Sequence, residues 1–285
     1  MSDTKQLGAY WGDNALFFVE SSESSLDKMF EVPFRKDTAA SKKKAVLDPW
    51  KVGLASDVKN TLNDKNVTAS AVNLSLPTKD IIFRSFTIPF MDDQELKSAV
   101  EFEVSKYIPF GLEDLSFSFH PIHTEEDQKK LTRIIFVAIK NDVLIDYFKI
   151  LEAASLRVQR VEPAASSLIR VLSFKNLIPE DQTIALIEKD YVGRIIVIDN
   201  SIPQFVREFY LSKPTADQES NDPESSFKTL AKEIRISLDY FNRQNDHLSI
   251  KKILFLTPTQ EDDLPQNLEK HLNLPVVAIA YESIL

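Results

Sequence analysis

The chain has 285 residues with a formal net charge of -9, and it contains 5 glycines and no cysteine. Average composition includes roughly 7% glycine, so about 20 would be expected in a chain of this length. The lack of cysteine excludes thiol nucleophiles, zinc–thiolate sites, iron–sulfur clusters and disulfides. An acidic chain without a concentrated basic stretch is also a poor candidate for nucleic-acid binding.

The glycine positions exclude the two commonest phosphate-binding loops. Gly8, Gly12, Gly53, Gly111 and Gly193 form neither a G-x-G-x-x-G nor a G-x-x-x-x-G-K-[ST] pattern. The N-terminal segment has no basic region followed by an apolar stretch, and no apolar run reaches the roughly 20 residues needed to cross a bilayer. The composition therefore predicts a soluble globular protein with enough apolar material for a core.

The first part of the chain is predicted to mix strands and helices. It opens with two strands over 7–19, joined by a tight turn at Gly12-Asp13-Asn14. The following elements are a polar loop (38–49), a helix (56–62), strands (69–76 and 81–88), a helix (92–109), strands (115–122 and 134–140) joined by a hairpin loop (124–130), a helix (142–154), a strand (158–161) and a helix (164–172). Asp92 and Glu95 are predicted to form a capping box at the start of the helix that Pro109 ends.

The second part of the chain has the pattern βββ-α-β-α-β. Its predicted elements are three strands (183–187, 194–199 and 204–210), a mobile polar loop (212–226), a helix (227–242), a strand (253–257), a helix (264–272) and a strand (275–280). The first part also begins with strands and continues with helices and strands. This pattern favours a duplicated α/β fold over a doubly wound βαβ sheet.

The segment from 72 to 110 reads VNLSLPTKDIIFRSFTIPFMDDQELKSAVEFEVSKYIPF. It resembles PilM, the type IV pilus assembly protein of the actin-like superfamily that also includes FtsA. Weaker matches lie at 161–165, 230–241 and 272–276. The positions that carry the main resemblance are Pro77, Arg84, Pro89, Met91, Glu95, Leu96, Glu103, Tyr107, Ile108, Pro109 and Phe110.

The resemblance implies an α/β actin-like fold of mixed sheets, made of two ribonuclease-H-like halves. The first half would cover 1–178 and contain an inserted β-α-β-β unit at about 70–155, and the second half would cover 179–285. It also implies a non-catalytic cytoplasmic scaffold at the inner membrane of a bacterium. In this family the partner is the N-terminal tail of the membrane protein PilN, which docks in a groove beside the inserted unit.

The residues expected at that partner-binding surface surround the IPF turn and the end of the helix. An extended tail can add a strand to a sheet edge or fill side-chain pockets in an apolar surface. The structural alternative is that this segment only packs the inserted unit on the first half. The candidate residues are Arg84, Phe86, Pro89, Glu103, Tyr107, Ile108, Pro109 and Phe110.

The resemblance also locates a nucleotide site whose residues depart from the family pattern. Actin-like ATPases hold phosphate and Mg²⁺ with glycine and aspartate in two β-turns. In the first turn Gly8 and Gly12 remain, but Tyr10 occupies the aspartate position and Asp13 a hydroxyl position. The corresponding losses elsewhere are Glu188 and Asp190 in the second turn, and Thr257 and Pro258 where the adenosine-side glycines would stand.

These departures predict a pseudo-ATPase that has lost hydrolysis and nucleotide binding. The alternative is weak binding of ATP and Mg²⁺ through Glu188 and Lys189 with altered geometry. A second alternative is the cytoplasmic part of a GspL-like type II secretion protein that recruits the secretion ATPase. That alternative predicts a membrane helix soon after Leu285. His120 and His123 lack a third ligand nearby and do not indicate a metal site.

Overall fold

The computed structural model describes residues 5–22, 25–34, 49–126, 129–189, 192–211, 223–245, 247–257 and 263–284. These residues contain the following strands and α-helices. In chain order they are β1 (Gln6–Trp11), β2 (Ala15–Ser21), β3 (Leu26–Pro33), α1 (Pro49–Asp64), β4 (Ala71–Leu76), β5 (Ile82–Pro89), α2 (Asp93–Ser105), β6 (Leu115–Glu126), β7 (Lys129–Lys140), α3 (Asn141–Ala153), β8 (Arg157–Pro163), α4 (Ala164–Phe174), β9 (Thr183–Lys189), β10 (Val192–Asp199), β11 (Ile202–Tyr210), α5 (Pro223–Gln244), β12 (Ile250–Thr257), α6 (Leu264–Leu272) and β13 (Val276–Ala280).

Two five-stranded sheets share one topology, as the predicted duplication requires. Their strand orders are β3-β2-β1-β4-β8 and β11-β10-β9-β12-β13. In each sheet the first three strands along the chain pair antiparallel, and the last two join in parallel. A three-stranded sheet, β5-β7-β6, comes from the chain between β4 and β8 together with α2. The predicted β-α-β-β insertion is therefore present in the first half.

The first sheet buries one face against α1 and α3. Along β1, Leu7, Ala9 and Trp11 are buried, whereas the alternate residues Gly8 and Tyr10 are only partly buried. Alternation of this kind is expected where one face of a strand meets a core and the other does not. The core residues from the two helices are Leu54, Ala55, Val58 and Leu62 of α1 and Tyr147, Ile150 and Leu151 of α3.

The second sheet is covered on both faces. One face packs against α5 and α6, and the other packs against α4. The central strand β9 begins with five consecutive buried residues. A continuous apolar run of this kind is what a strand covered on both sides requires.

The chain divides into two compact units whose borders differ from the predicted halves. One unit contains Met1–Ile82, Met91–Phe119 and Val137–Ala164, and the other contains Phe83–Phe90, His120–Phe136 and Ala165–Leu285. The second unit thus begins its main segment at the start of α4, not at 179. Helix α4 belongs there because its buried residues Ala165, Ile169 and Leu172 pack against the second sheet.

Several details of the sequence interpretation are wrong. Asp92 makes no side-chain capping hydrogen bond, and its backbone carbonyl accepts from the N–H groups of Glu95 and Leu96 instead. Strand β3 is absent from the prediction because a charged residue, Lys28, lies on its less exposed face and an apolar one, Met29, lies on its exposed face, which hides the alternation in the sequence. The predicted 124–130 loop is shorter, since β6 reaches Glu126 and β7 starts at Lys129.

Two predicted loops fall largely on undescribed residues. Of the 38–49 loop, positions 38–48 lie outside the described residues, and α1 already begins at Pro49. Of the mobile loop at 212–226, positions 212–222 lie outside the described residues, whereas 223–226 form the first turn of α5. None of the helices described is long and apolar enough to cross a bilayer.

Candidate functional site

The first actin-like turn lies between β1 and β2. The Gly12 N–H donates to the Ala15 carbonyl at 3.0 Å, and this bond closes the turn around Asp13 and Asn14. The Asn14 carbonyl accepts from the N–H of Phe34, 2.8 Å away, beyond the end of β3. Backbone hydrogen bonds therefore hold the turn to β2 and to the residue that follows β3, and the turn is a tight connection between two strands.

The turn between β1 and β2 carries an ion pair. The Lys79 ammonium lies 2.6 Å from Asp13 Oδ1. Lys79 belongs to a short 3-10 helix after β4, which also carries Asp80. The Lys79 ammonium therefore neutralises the carboxylate in the turn. Asp13 is thus a partner of Lys79, and this pairing removes the expected repulsion of an isolated acid.

The same 3-10 helix is also fastened to the core through Tyr147 of α3. The Tyr147 hydroxyl donates to the Asp80 carboxylate, and its ring meets Trp11 edge-on at 4.6 Å. Burial raises the pKa of Tyr147, and the hydrogen bond to Asp80 adds to the rise. The tyrosine therefore stays protonated and holds the helix that carries Lys79 over the first turn.

The two glycines of the first turn have different local roles. A Cβ at Gly12 would meet the Phe17 ring at 2.8 Å and the Ala15 carbonyl oxygen at 3.0 Å. A Cβ at Gly8 would meet only the Val19 oxygen at 3.9 Å, which is an ordinary contact. Gly12 is therefore needed for the turn itself, without any nucleotide. No neighbour in the described structure requires glycine at position 8.

In the second turn region, Glu188 takes part in a charge ladder across three strands. Arg194 of β10 stands opposite Glu188 of β9 and Glu208 of β11 in the strand register. Its guanidinium donates to Glu188 through Nη1 and to Glu208 Oε1 through Nη2 at 3.0 Å. Cross-strand pairs of opposite charge stabilise a sheet. The Glu188 carboxylate is thus already engaged by an arginine.

Two residues of the sequence-predicted nucleotide site, Lys189 and Thr257, end the strands β9 and β12. Thr257 is fully buried at the end of β12. Lys189 is exposed at the end of β9, and Asp190 and Pro258 lie outside the described residues. Among the residues that the structure describes, no cluster of three or more His, Asp or Glu side chains could hold a metal ion.

Three aromatic side chains at and just after the end of α2 are exposed. We use the name α2 aromatic patch for Phe102, Tyr107 and Phe110, which are 68%, 56% and 38% exposed. Lys106 lies over the Phe102 ring at 4.7 Å, and Lys140 lies over the Phe110 ring at 3.7 Å. Aromatic side chains under cations present both apolar area and positive charge to a partner.

Glu103 organises the middle of the α2 aromatic patch. It accepts from the Tyr107 hydroxyl at 3.2 Å and from the Lys106 ammonium at 2.6 Å. The hydrogen bond from Lys106 holds the pKa of Glu103 below its ordinary value of 4.5. Glu103 therefore stays ionised at neutral pH and fixes Tyr107 on the surface. Pro109 is exposed beside the patch, whereas Ile108 is buried and anchors the turn from below.

Phe102 belongs to this patch but is missing from the predicted site residues. Its position on α2, relative to the predicted apolar face of the helix, could have identified it from the sequence. The predicted apolar face of the helix contains Leu96, Ala99, Val100, Val104 and Tyr107. Phe102 lies off that predicted face, and exposed aromatic side chains are enriched at interfaces.

The other candidate residues lie on β5, an edge strand of the three-stranded sheet. Arg84 and Pro89 are exposed, and Phe86 is half-buried. The Arg84 guanidinium donates to the carbonyl of Phe83 at 2.8 Å. At the end of the strand the Phe90 ring is 45% exposed and meets the His123 ring edge-on at 5.2 Å. The structure describes β5 and the α2 aromatic patch in different compact units.

The duplicated five-stranded sheets, with an inserted sheet in the first half, define a protein of the actin-like class. Solved structures confirm this fold. The chain is 18% identical to one in a PilM–PilN type IV pilus biogenesis complex, with a TM-score of 0.75 over 99% of this chain and 90% of that one. The cytoplasmic domain of EpsL from Vibrio cholerae, an inner-membrane component of the type II secretion system, has 12% identity and a TM-score of 0.53 over 95% of both chains.

A third structure comes from Bacteroides thetaiotaomicron and is described as a protein with an actin-like ATPase fold. It is 12% identical, with a TM-score of 0.50 over 98% of this chain and 91% of that one. No curated protein matches the chain significantly in sequence. The model of the family described as type IV pilus assembly protein PilM matches residues 17–209. The chain belongs to this PilM family, as its central segment predicts.

Proposed function

We propose that this protein is a non-catalytic scaffold of a type IV pilus assembly complex. It would bind the N-terminal cytoplasmic tail of a PilN-like membrane protein and thereby lie at the cytoplasmic side of the inner membrane. Membership of the PilM family supports the pilus role. A structural neighbour was solved as a PilM–PilN complex, which supports the choice of partner.

The observation that carries the proposal is the α2 aromatic patch. Three large aromatic side chains stay exposed in one short stretch at the end of α2, although the chain has a core in which to bury them. Exposed apolar clusters with adjacent charges mark protein-binding surfaces. Lys106 and Lys140 would favour a tail that carries acidic or carbonyl groups beside its apolar residues.

The ion pairs in the two actin-like turns support the absence of catalysis. Hydrolysis in this class needs carboxylates that are free to hold Mg²⁺ and water beside the phosphates. Here Asp13 is paired with Lys79, and Glu188 is paired with Arg194. Mg-ATP could use these two carboxylates only by breaking at least one of these pairs. We therefore expect no turnover and no micromolar affinity for Mg-ATP in a calorimetric titration.

Binding of synthetic N-terminal tails from PilN-like proteins tests the partner assignment. Tyr107→Ala removes the centre of the patch and is expected to weaken binding by about tenfold, as a loss of an interface aromatic does. Tyr210→Ala is the matched control, since Tyr210 is 71% exposed on β11, outside the patch. Equal affinities of both variants and the wild type would show that the tail binds elsewhere.

A second candidate is the cytoplasmic part of a GspL-like secretion protein that recruits the secretion ATPase. The likeness to the EpsL cytoplasmic domain over 95% of both chains favours it. The two candidates differ in their partner. Binding of a pilus PilN tail without binding of a secretion ATPase supports the first, and the reverse result supports the second. The third candidate, a weak ATPase of the actin-like class, requires a magnesium-dependent ATP isotherm.

A further inference from the structure

One face of the first sheet carries apolar side chains that lie outside the hydrophobic cores of the described residues. They are Tyr10 of β1, Phe17 and Val19 of β2, and Met29 of β3, and we name these four residues the open-face strip. Phe17 is 39% exposed and Met29 is 59% exposed, whereas Tyr10 and Val19 are half-buried. The proposed function does not use this strip.

The strand register makes the open-face strip continuous across three strands. Tyr10 stands opposite Phe17, and Val19 stands opposite Met29. Directly opposite residues of an antiparallel pair lie on the same face, and so do Phe17 and Val19, which are two residues apart on β2. The rings of Tyr10 and Phe17 stack with their centroids 6.2 Å apart. The tyrosine that stands where the resemblance to actin-like ATPases places aspartate is therefore part of an apolar surface.

The second sheet shows how the same topology covers the counterpart of this face. By chain order β9 and β10 correspond to β1 and β2, and the helices α5 and α6 correspond to α1 and α3. The face under α4 is therefore the counterpart of the open face. Helix α4 covers it with Ala165, Ile169 and Leu172, which have the i, i+4, i+7 spacing of one helical side. The buried strand residues under α4 include Ile184, Leu186, Ile196 and Ile198.

A helix is the element that fits the open-face strip. Apolar sheet faces of folded domains are buried by a layer of helices or by a second sheet. In this chain a helix buries the counterpart face. An added strand does not suit the strip, because strand addition needs a sheet edge, and β1 and β2 are internal in the order β3-β2-β1-β4-β8.

Charged side chains at the two edges of this face indicate the kind of helix. The register places Glu31 of β3, and Arg157 and Arg160 of β8, on the same face as the strip. All three are exposed, and none of them forms an ion pair with a residue that the structure describes, whereas Glu162 of β8 already has an interaction partner. An acid at one edge and two bases at the other favour an occupant that carries both signs of charge beside its apolar side.

We propose that the open face of the first sheet docks an amphipathic helix of a partner protein. The helix would place aliphatic residues with i, i+4, i+7 spacing against the open-face strip, as α4 does on the second sheet. Acidic residues on one of its flanks would face Arg157 and Arg160, and basic residues on the other would face Glu31. The strip shares no residue with the α2 aromatic patch, so this is a second docking surface.

The test is a calorimetric titration of the whole chain with the amphipathic peptide acetyl-LKEALKELKAELKELAKE-amide. As a helix this mixed peptide places leucine on one side, lysine along one flank and glutamate along the other. Three comparison peptides carry lysine at every charged position, carry glutamate at every charged position, or scramble the mixed sequence so that no apolar side forms. We expect the mixed peptide to bind at least about fivefold more tightly than any of the three, since one exposed ion pair contributes up to about that factor.

The net charge makes the ranking of these peptides informative. The chain carries -9 overall, so general attraction to its surface would make the all-lysine peptide the tightest binder. That ranking, or no binding of the mixed peptide, overturns the proposal. The NMR shifts caused by the mixed peptide should centre on Gly8 and Val19. Shifts centred on the α2 aromatic patch would overturn it as well.

A matched pair of variants tests the apolar contact. Met29→Glu places a charge in the strip and should weaken binding of the mixed peptide by at least about tenfold. Ile145→Glu makes the same change on α3, at a position that is 46% exposed and lies outside the strip, and it should alter affinity less than twofold. Both positions are exposed, so both variants should keep the wild-type melting temperature. Equal losses of affinity would contradict docking on this face.

Reversing the charge of β8 tests the flanks. The double variant Arg157→Glu, Arg160→Glu should bind the all-lysine peptide more tightly than the mixed peptide, which reverses the order expected for the wild type. An unchanged order would overturn the charge assignment.

A second copy of the chain is the competing occupant of this face. We expect sedimentation of the chain alone at micromolar concentration to show a monomer, for the wild type and for Met29→Glu. A wild-type dimer that Met29→Glu dissociates would show that the strip joins two copies and would overturn docking of a partner helix.

Discussion

The two five-stranded sheets have the same topology but bury different amounts of their strands. Strand β1 alternates buried and partly buried residues, whereas its counterpart β9 is buried at every position from Thr183 to Ile187. The difference follows from the helices. The first sheet has α1 and α3 on one face, and the second has α5 and α6 on one face and α4 on the other. Strand composition thus reports how many faces are covered, not which fold is present.

The turns of the two halves also differ in how their acids are held. In the first half an exposed lysine from a distant 3-10 helix neutralises Asp13. In the second half Arg194 joins Glu188 to Glu208 within the sheet itself. The carboxylate near the turn is therefore paired with a lysine from outside the sheet in the first half, and with an arginine from a neighbouring strand in the second half. Each pairing can be broken separately, which makes the comparison testable.

The largest expected difference is in the loss of unfolding free energy when a side chain is truncated in the second sheet, which is covered on both faces, or at an exposed position of the first sheet. Leu186→Ala removes a fully buried side chain of β9 that packs towards α4, and it should cost about 2–5 kcal/mol of unfolding free energy. Met29→Ala on β3, where the side chain is 59% exposed, should change stability by less than about 0.5 kcal/mol. Denaturant unfolding of both variants measures this. Similar losses would mean that Met29 is covered in solution.

The next prediction compares a glycine from each sheet. A Cβ at Gly193 of β10 would lie 2.2 Å from the ring of Phe209, which is itself buried. Gly193→Ala must displace that ring and should cost about 1–3 kcal/mol. Gly8→Ala in β1 meets only an ordinary contact and should be neutral or stabilising by about 0.5 kcal/mol. A destabilised Gly8→Ala variant would indicate that position 8 has a close neighbour in solution.

A third prediction uses pH to test the link between α3 and the first turn. The pKa of Tyr147 is raised above its ordinary value of 10, so its contribution to stability is complete below pH 10 and is lost as the pH rises above it. Tyr147→Phe should cost about 1.5 kcal/mol at neutral pH, because Asp80 loses a charge-assisted bond. The variant should then lose less further stability between pH 9 and pH 11 than the wild type. If the wild type and the Tyr147→Phe variant lose the same unfolding free energy between pH 9 and pH 11, the role given to the Tyr147 hydroxyl is contradicted.

Local patterns in the sequence predicted most helices and strands, the duplication and the insertion. The apolar spacing of Leu96, Val100, Val104 and Tyr107 predicted the buried face of α2. The first three are buried, whereas Tyr107, which follows the end of the helix, is 56% exposed. Strand β3 was missed because Lys28 and Met29 reverse the apolar and polar positions that its alternating burial would require.

The pairing within the candidate sites depended on distant residues. Lys79 is 66 positions from Asp13, and Tyr147 is 67 positions from Asp80. No spacing rule connects residues that far apart. The ladder through Arg194 required the strand register, which the sequence does not display. The sequence could therefore indicate where the turns depart from the pattern of actin-like ATPases, but not what the turn carboxylates bind.

The smallest expected effects come from the acids of the two turns themselves. Glu188→Gln weakens a ladder whose arginine is only 13% exposed, and it should cost about 1 kcal/mol. Asp13→Asn breaks an exposed pair, with side-chain exposures of 56% and 46%, and should cost less than about 0.5 kcal/mol. Both values come from denaturant unfolding at low and high salt, since added salt should erase the Asp13 effect first. Neither variant should gain affinity for Mg-ATP in a calorimetric titration, because the resemblance to actin-like ATPases aligns Asp190, Thr257 and Pro258 with positions where those enzymes have glycine. Micromolar binding in Asp13→Asn alone would instead show that the Lys79 pair is a removable block on a competent nucleotide site.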